Sequence, residues 1–378
     1  MLETIDDWGP EKVVCVSDTR TGMRGVLVID NTARGMGKGG TRMTPTVSVT
    51  EVARLARNMT WKWAGVDLFY GGAKAGIRYD PTAADKEAVL RSFVRALRNE
   101  VPDEYVFGLD VGLTEADAAI MLDEVGGRSG AVGTPSALGG LPYDQLGVTG
   151  FGVAESLDAA AQFAGLEVSR LSVSIQGFGA VGAAAANRLA ELGATVVAIS
   201  TSQGGLHDPD GLDVAELLRL REIYGDALVH HHDSAKPLAP GDELRVTADV
   251  LLPAALQDVI DEQVAGELAA SIIVEGANLP TSAAAQQVLH HRGVVVVPDF
   301  IANAGGVVAA AVAMDARTSG IRPDPSAVFA LISDKLRAGT TTTLAESRAQ
   351  DLTTHQAARQ TAERRVHEAM RLKGRLPR

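Results

Sequence analysis

The chain has 378 residues, enough for two domains, and its 46% hydrophobic and 22% charged content excludes a disordered chain. A formal net charge of −12 excludes a broadly basic nucleic-acid binder, and no apolar run approaches the roughly 20 residues of a membrane-spanning helix. A single cysteine, Cys15, excludes an internal disulfide or a cysteine metal cluster. The start, Met1 to Asp7, has neither a basic segment nor an apolar core, so the expectation is a cytoplasmic protein acting on small molecules.

Along the chain, β-like runs at 12–17 and 24–30 come first, and Val13-Val14-Cys15-Val16 places the lone thiol in buried strand packing. A glycine-rich loop, Gly35 to Arg42, leads to a helix near 48–63, with Ser48 or Thr50 as its cap and Glu51 in its first turn. Val52, Leu55, Ala56 and Met59 recur at helical spacing and set Lys62 near the helix end. A second helix is expected near 83–100, and Tyr105 to Asp110 reads as a buried strand ending at an acid. Residues 126–148, rich in glycine and proline, mark the main domain boundary.

Beyond that boundary the pattern changes. Leu171–Ile175 reads as a strand, Gly177 to Gly182 as a turn, Ala183–Leu192 as a helix and Thr195–Ile199 as the next strand, which is a βαβ unit. Further strands at 250–252, 272–274 and 294–297, with helices between them, predict a parallel doubly wound sheet. The tail from Thr353 onward is a charged helical segment with six arginines. His230-His231-His232 and His290-His291 offer no i,i+4 histidine pair with an acidic partner, so no metal is expected.

Two stretches carry chemistry. Lys62 and Lys74 stand in an apolar, glycine-rich setting with Trp61, Trp63, Phe69, Tyr70, Gly71 and Gly72. An ammonium there is costly to desolvate unless it meets an anion, and the flanking glycines let a ligand approach closely. Asp110 follows as a carboxylate at a cleft edge, since Thr114 is better placed to cap the helix near 114–124.

In the second stretch, Gly177, Gly179 and Gly182 follow a strand and open a helix, the context in which GxGxxG signals a dinucleotide site. The acid expected about 20 residues later, to hold the ribose, is absent. Ser200, Thr201 and Ser202 stand there, with no adjacent arginine or lysine, so NAD and NADP are both open.

Lys38-Gly-Gly-Thr-Arg42, Met59-Thr-Trp-Lys62, Gly71-Gly-Ala-Lys74, Asp110-Val-Gly112, Thr149-Gly150, Gly177 to Gly182, Val274-Glu-Gly-Ala-Asn278 and Pro298 to Gly306 together resemble the ordered signature of the glutamate/leucine/phenylalanine/valine dehydrogenase superfamily. The resemblance implies an α/β fold of two domains. Residues 1–145 would bind substrate and mediate oligomerisation, with C-terminal helices of about 340–378 packing back on them, and 146–339 would form a Rossmann domain for NAD or NADP, with an active cleft between the two.

Position by position, it implies that Lys62 binds the substrate α-carboxylate with backbone near Gly39 and Gly40, that Lys74 is a low-pKa lysine activating water, and that Asp110 shuttles protons at the amine. Thr149, Asn278 and Asn303 would line the nicotinamide side, beside Gly177, Phe178, Gly179, Ala180, Val181 and Gly182 at the phosphates and Ser200 and Thr201 at the ribose. The implied reaction reversibly converts an L-amino acid, NAD(P)+ and water to a 2-oxo acid, ammonium and NAD(P)H, in a homo-oligomer that by resemblance is a hexamer. Lys38 resembles the glutamate-specific pattern, whereas Ala310 stands where glutamate enzymes usually carry serine. The expected substrate is therefore L-glutamate. A leucine, valine or phenylalanine dehydrogenase is the alternative, and a non-catalytic nucleotide-binding paralogue, which would be expected to have lost Lys74 or Asp110, is the more distant one.

Overall fold

The computed structural model describes residues 5–127, 129–232 and 235–376; the first four residues of the expected leaderless start and the last two of the arginine-rich tail lie outside them. Two compact units result. The first comprises residues 1–143, 307–328 and 361–378, and the second 144–306 and 329–360.

In the first unit the strands are β1 (Lys12–Asp18), β2 (Met23–Asn31), β3 (Gly37–Lys38), β4 (Thr41–Thr44), β5 (Gly71–Arg78) and β6 (Tyr105–Val106), and the helices are α1 (Val49–Gly65), α2 (Lys86–Ala96) and α3 (Glu115–Val125). The sheet runs β1-β2-β5-β3-β6, with β4 also paired to β5. All of Gly71–Ile77 is buried, because β5 has neighbours on both edges and packing on both faces. Ser48 caps α1 by accepting from the Glu51 N–H at 3.2 Å, and Thr114 with Asp117 forms a capping box on α3.

Two expectations need correction here. Cys15 lies in a strand, but it is exposed. β1 is the sheet's edge strand; Val14 and Val16 pack on the main core and Val13 on the cluster under α1, and the cover does not extend to Cys15. The run Tyr105 to Asp110 is a strand only over Tyr105–Val106, after which Phe107 and Leu109 make single bridges and Asp110 sits in the following loop.

The second unit is built from α4 (Tyr143–Leu146), α5 (Val148–Phe163), β7 (Ser172–Gln176), α6 (Ala180–Glu191), β8 (Thr195–Thr201), β9 (Gly204–His207), α7 (Val214–Tyr224), β10 (Lys236–Leu238), β11 (Val250–Pro253), α8 (Glu262–Glu267), β12 (Ile272–Val274), α9 (Ala283–His291), β13 (Val295–Val297) and α10 (Asp299–Ala302), α4 opening at the last residue of the first unit. Its sheet order is β10-β9-β8-β7-β11-β12-β13. From β8 to β13 the pairings are parallel, while β9 and β10 add an antiparallel edge that the sequence pattern did not reveal. The strand order reverses at β7, between β8 and β11, so the β7 carboxyl end is the topological switch point where α/β sheets bind ligands.

The remaining helices, α11 (Gly305–Ala316), α12 (Pro325–Gln350) and α13 (Thr354–Leu372), contribute to both units. In the first unit Ala362, Val366 and Met370 of α13 pack with Trp61 and Ala64, and Arg365 donates to the Ala64 and Gly65 carbonyls at the end of α1. The stretch Asp299–Ala316 comes closer to a membrane-spanning composition than the sequence reading allowed, but 67% of it is buried within the protein.

Candidate functional site

The first half-site forms where the chain breaks between β3 and β4. Both strands pair in parallel with β5, Lys38 opposite Gly72 and Thr41 opposite Ala75, and the two residues between them, Gly39 and Gly40, approach other backbone directly. A Cβ on Gly39 would lie 1.6 Å from the Ala73 carbonyl oxygen, and one on Gly40 would lie 2.5 Å from that of Leu109, so only glycine fits. Hydrogen bonds fix the break: Tyr105 OH donates to Gly39 O at 3.0 Å, Trp63 Nε1 to Lys38 O at 3.0 Å and Ala75 N to Gly40 O at 3.1 Å.

Lys74 lies within β5 and is 8% exposed. Its Nζ is 2.8 Å from Asp110 Oδ2, which also accepts from Arg42 Nε at 3.1 Å, and Arg42 Nη1 reaches Glu51 Oε1 at 2.8 Å. Burial pushes the Asp110 carboxyl up, but the Lys74 ammonium and the Arg42 guanidinium pull it further down, so it stays ionised at neutral pH. The half-site thus holds an ionised carboxylate and a buried amine in direct hydrogen-bond contact, as a proton-exchanging pair requires.

Lys38 is 2% exposed, and its Nζ donates to the carbonyls of Val106 at 2.9 Å and Phe107 at 3.1 Å. Two of the three ammonium donors are thereby engaged, leaving one for a ligand. Burial, with the nearby Lys74 and Arg317 charges, pushes its pKa down to about 7. Lys62 is half-buried on α1 between the buried Trp61 and Trp63, and Ala310 is half-buried on α11. Arg42, the last residue of the Lys38–Arg42 motif, joins the site through the fold. Its partnership with Asp110 joins residues 68 apart in sequence and depends on the β4 register, which no local pattern reveals.

The second half-site is the β7–α6 loop. Gly177 has φ +91°, a left-handed conformation that favours glycine, and a Cβ on Gly182 would lie 1.9 Å from the Gly177 carbonyl oxygen. Gly179 has open space above it and no side chain caps α6, whose first N–H groups therefore face outward. The helix begins at Ala180, earlier than its apolar pattern indicated. These features fit a dinucleotide pyrophosphate. Phe178 is a core residue, so only its backbone belongs to the loop. Ser200 is buried, and its Oγ accepts the Gly177 N–H at 3.0 Å, so this hydroxyl braces the loop.

Gly150 would clash with the Val181 carbonyl oxygen if it had a Cβ, which sets Thr149, in the first turn of α5, beside the loop. Asn303 Nδ2 donates to Asn278 Oδ1 at 3.0 Å and to the Gly276 and Ala277 carbonyls, while its buried Oδ1 has no hydrogen-bond partner among the described residues, an acceptor suited to a carboxamide N–H. Glu275, another motif residue with no role assigned from sequence, is fully buried and accepts from the Asp299 N–H at 2.8 Å, with His355 Nε2 also at 2.8 Å. Burial pushes His355 down, but Glu275 overrides it and raises its pKa.

Two substitutions separate folding from binding in this loop. Gly182→Ala is expected to lower the melting temperature, because its methyl meets backbone, whereas Gly179→Ala is expected to leave melting unchanged and weaken nucleotide binding, since its methyl fills only open space. Differential scanning fluorimetry with and without NADH distinguishes these outcomes.

Models of two related families match the chain: the glutamate/leucine/phenylalanine/valine dehydrogenase domain over residues 139–374 and that family's dimerisation domain over residues 10–126. Glutamate dehydrogenase A2 of Halobacterium salinarum is 39% identical over 288 residues, covering 74% of this chain and 68% of its own. The NADP-specific glutamate dehydrogenase of Saccharolobus shibatae is 38% identical over 318 residues, covering 79% and 74% respectively. In structure, a hetero-hexameric glutamate dehydrogenase from Thermus thermophilus in its Leu-bound form superposes with a TM-score of 0.86 at 31% identity, covering 99% of this chain and 93% of its own. With both domain models matched in order and relatives at this identity over two thirds of their length, the chain belongs to the glutamate/leucine/phenylalanine/valine dehydrogenase family.

Proposed function

We propose that the protein is an NAD(P)-dependent amino-acid dehydrogenase that reversibly converts L-glutamate and water to 2-oxoglutarate and ammonium. The observation that carries this reading is the contact of Lys74 with Asp110 beside the Gly39-Gly40 break. The nucleotide, when bound, accepts the hydride from the substrate α-carbon. Asp110, ionised, takes the proton from the amine nitrogen. The iminium carbon so formed is attacked by water, whose proton passes to Lys74 in its neutral amine form; Asp110 then returns its proton to the nitrogen, and as the carbinolamine collapses to the 2-oxo acid the hydroxyl proton passes to the departing ammonia, which leaves as ammonium, while Lys74 releases its proton to solvent.

Lys62, with backbone at Gly39 and Gly40, takes the α-carboxylate, and Thr149, Asn278 and Asn303 hold the nicotinamide side. In this reading the first unit binds substrate and mediates assembly and the second binds the dinucleotide. The matched dimerisation domain supports assembly, and a homo-oligomer, specifically a hexamer, is our reading. An unpaired Cys15 is compatible with a reducing cytoplasm.

Glutamate is favoured over an apolar amino acid by the buried Lys38 ammonium, whose acceptors among the described residues are the neutral Val106 and Phe107 carbonyls, with one donor left. A γ-carboxylate pairs only with its charged form. Lys38 is charged below about pH 7 and loses its proton above it, so KM for glutamate is expected to rise relative to KM for norvaline as the pH passes 7. The α-amino and nucleotide groups titrate alike for both substrates and cancel in the ratio. A ratio independent of pH would remove Lys38 from the substrate.

A further inference from the structure

The end of β8 lacks its own acid, yet a carboxylate is held there by a different part of the chain. Ser202 Oγ donates to Asp226 Oδ2 at 2.5 Å, and Thr201 Oγ1 donates to the Asp226 carbonyl at 2.8 Å. Asp226 lies in the 3-10 turn Gly225–His230 that follows α7, far from the position where a dinucleotide fingerprint is searched for an acid. The same strand end is tied to the phosphate loop. Phe178 N donates to Ser200 O at 2.7 Å and Gly177 N to Ser200 Oγ at 3.0 Å, so Asp226 is anchored to the residues directly following the one that braces the loop.

We propose that Asp226 takes the place of the missing acid, accepts hydrogen bonds from the adenosine ribose hydroxyls, and makes the protein discriminate in favour of NAD over NADP. A carboxylate can accept from both hydroxyls of a ribose diol, whereas a 2′-phosphate would bring two further negative charges against it. Residues 189–218 contain no lysine or arginine, and among the described residues none of either type pairs with Asp226, Thr201 or Ser202. Asp226 is exposed, so its ligand reaches it without rearrangement of the core. The inference rests on the dinucleotide reading of the β7–α6 loop and deepens it to the choice between two nucleotides.

Equilibrium binding of NADH and of NADPH, followed by nicotinamide fluorescence on wild-type protein, Asp226→Ser and Asp226→Asn, tests it. Wild-type protein is expected to bind NADH at least about tenfold more tightly than NADPH, and Asp226→Ser to reduce that ratio by about tenfold, with NADPH gaining affinity as the charge goes. Asp226→Asn, which keeps the shape and removes the charge, is expected to do the same for NADPH. Added salt should weaken the wild-type preference and leave that of Asp226→Ser flat. A wild-type preference for NADPH, or a ratio unchanged within about twofold in Asp226→Ser, overturns the role of Asp226 while leaving the dinucleotide site standing. Failure of wild-type protein to bind either nucleotide overturns both.

Discussion

Lys74→Ala is expected to lower kcat by about 10²–10⁴-fold, the usual range for removing a positioned acid or base, while leaving nucleotide affinity nearly unchanged. The reason is geometric. Lys74 lies in β5 of the first unit against Asp110, whereas the backbone proposed to hold the phosphates, Gly177 to Gly182, lies in the second. Asp110 keeps its Arg42 partner when Lys74 is removed, so the carboxylate is not stranded and the unit is expected to fold. Steady-state kinetics with a parallel NADH titration separates chemistry from binding, and a variant retaining more than about a tenth of wild-type kcat refutes the role given to Lys74. Asp110→Asn preserves shape and is expected to lose activity similarly, because an amide cannot exchange the proton. Here a modest fall in melting temperature should accompany the loss, since the Lys74 ammonium is left without its carboxylate.

Lys38→Leu carries the other large effect. If the remaining Lys38 donor meets the γ-carboxylate, its loss removes a charge-assisted hydrogen bond of about 1.5–3 kcal/mol, or roughly 10- to 150-fold in kcat/KM on glutamate. The same change removes a buried charge and supplies an apolar wall, so activity on leucine or norvaline is expected to improve. Ala310 adds no hydroxyl to the site, so wild-type discrimination should be weaker than where lysine and serine act together. Equal losses on glutamate and norvaline would mean that Lys38 only braces Val106 and Phe107.

Most of the second unit was legible in the sequence because its signals are local. The β7–α6–β8 core shows glycine at a turn, helical spacing and a β-branched strand within 30 residues, and the largest difference is at the start of α6, since Ala180 and Val181 already belong to its first turn, the other ends moving by at most two residues. β9 and β10 escaped because a four-residue strand beginning Gly-Gly and a three-residue strand containing proline carry almost no β signal, and their pairing makes them strands. In the first unit the ordered motifs identified Lys74 and Asp110 as candidates, but not that they share one oxygen with Arg42, which depends on parallel pairing of β4 with β5. Cys15 was misplaced because edge position is a property of the sheet, not of the strand. The acid looked for at the end of β8 was absent from the strand itself; a carboxylate 24 residues beyond Ser202 reaches that place only through the fold.

The central claim is oxidative deamination with glutamate as the preferred substrate, and a panel of L-amino acids assayed at the reduced-nicotinamide absorbance band, with NAD+ and NADP+ in parallel, tests it most directly. Glutamate is expected to give the highest kcat/KM, with weak activity on norvaline and leucine, formation of 2-oxoglutarate with ammonium, and loss of the signal in Lys74→Ala. Preference for leucine, valine or phenylalanine would contradict the reading of Lys38, and no reduction of either nucleotide with any amino acid would contradict the assignment of Lys74 and Asp110 to catalysis.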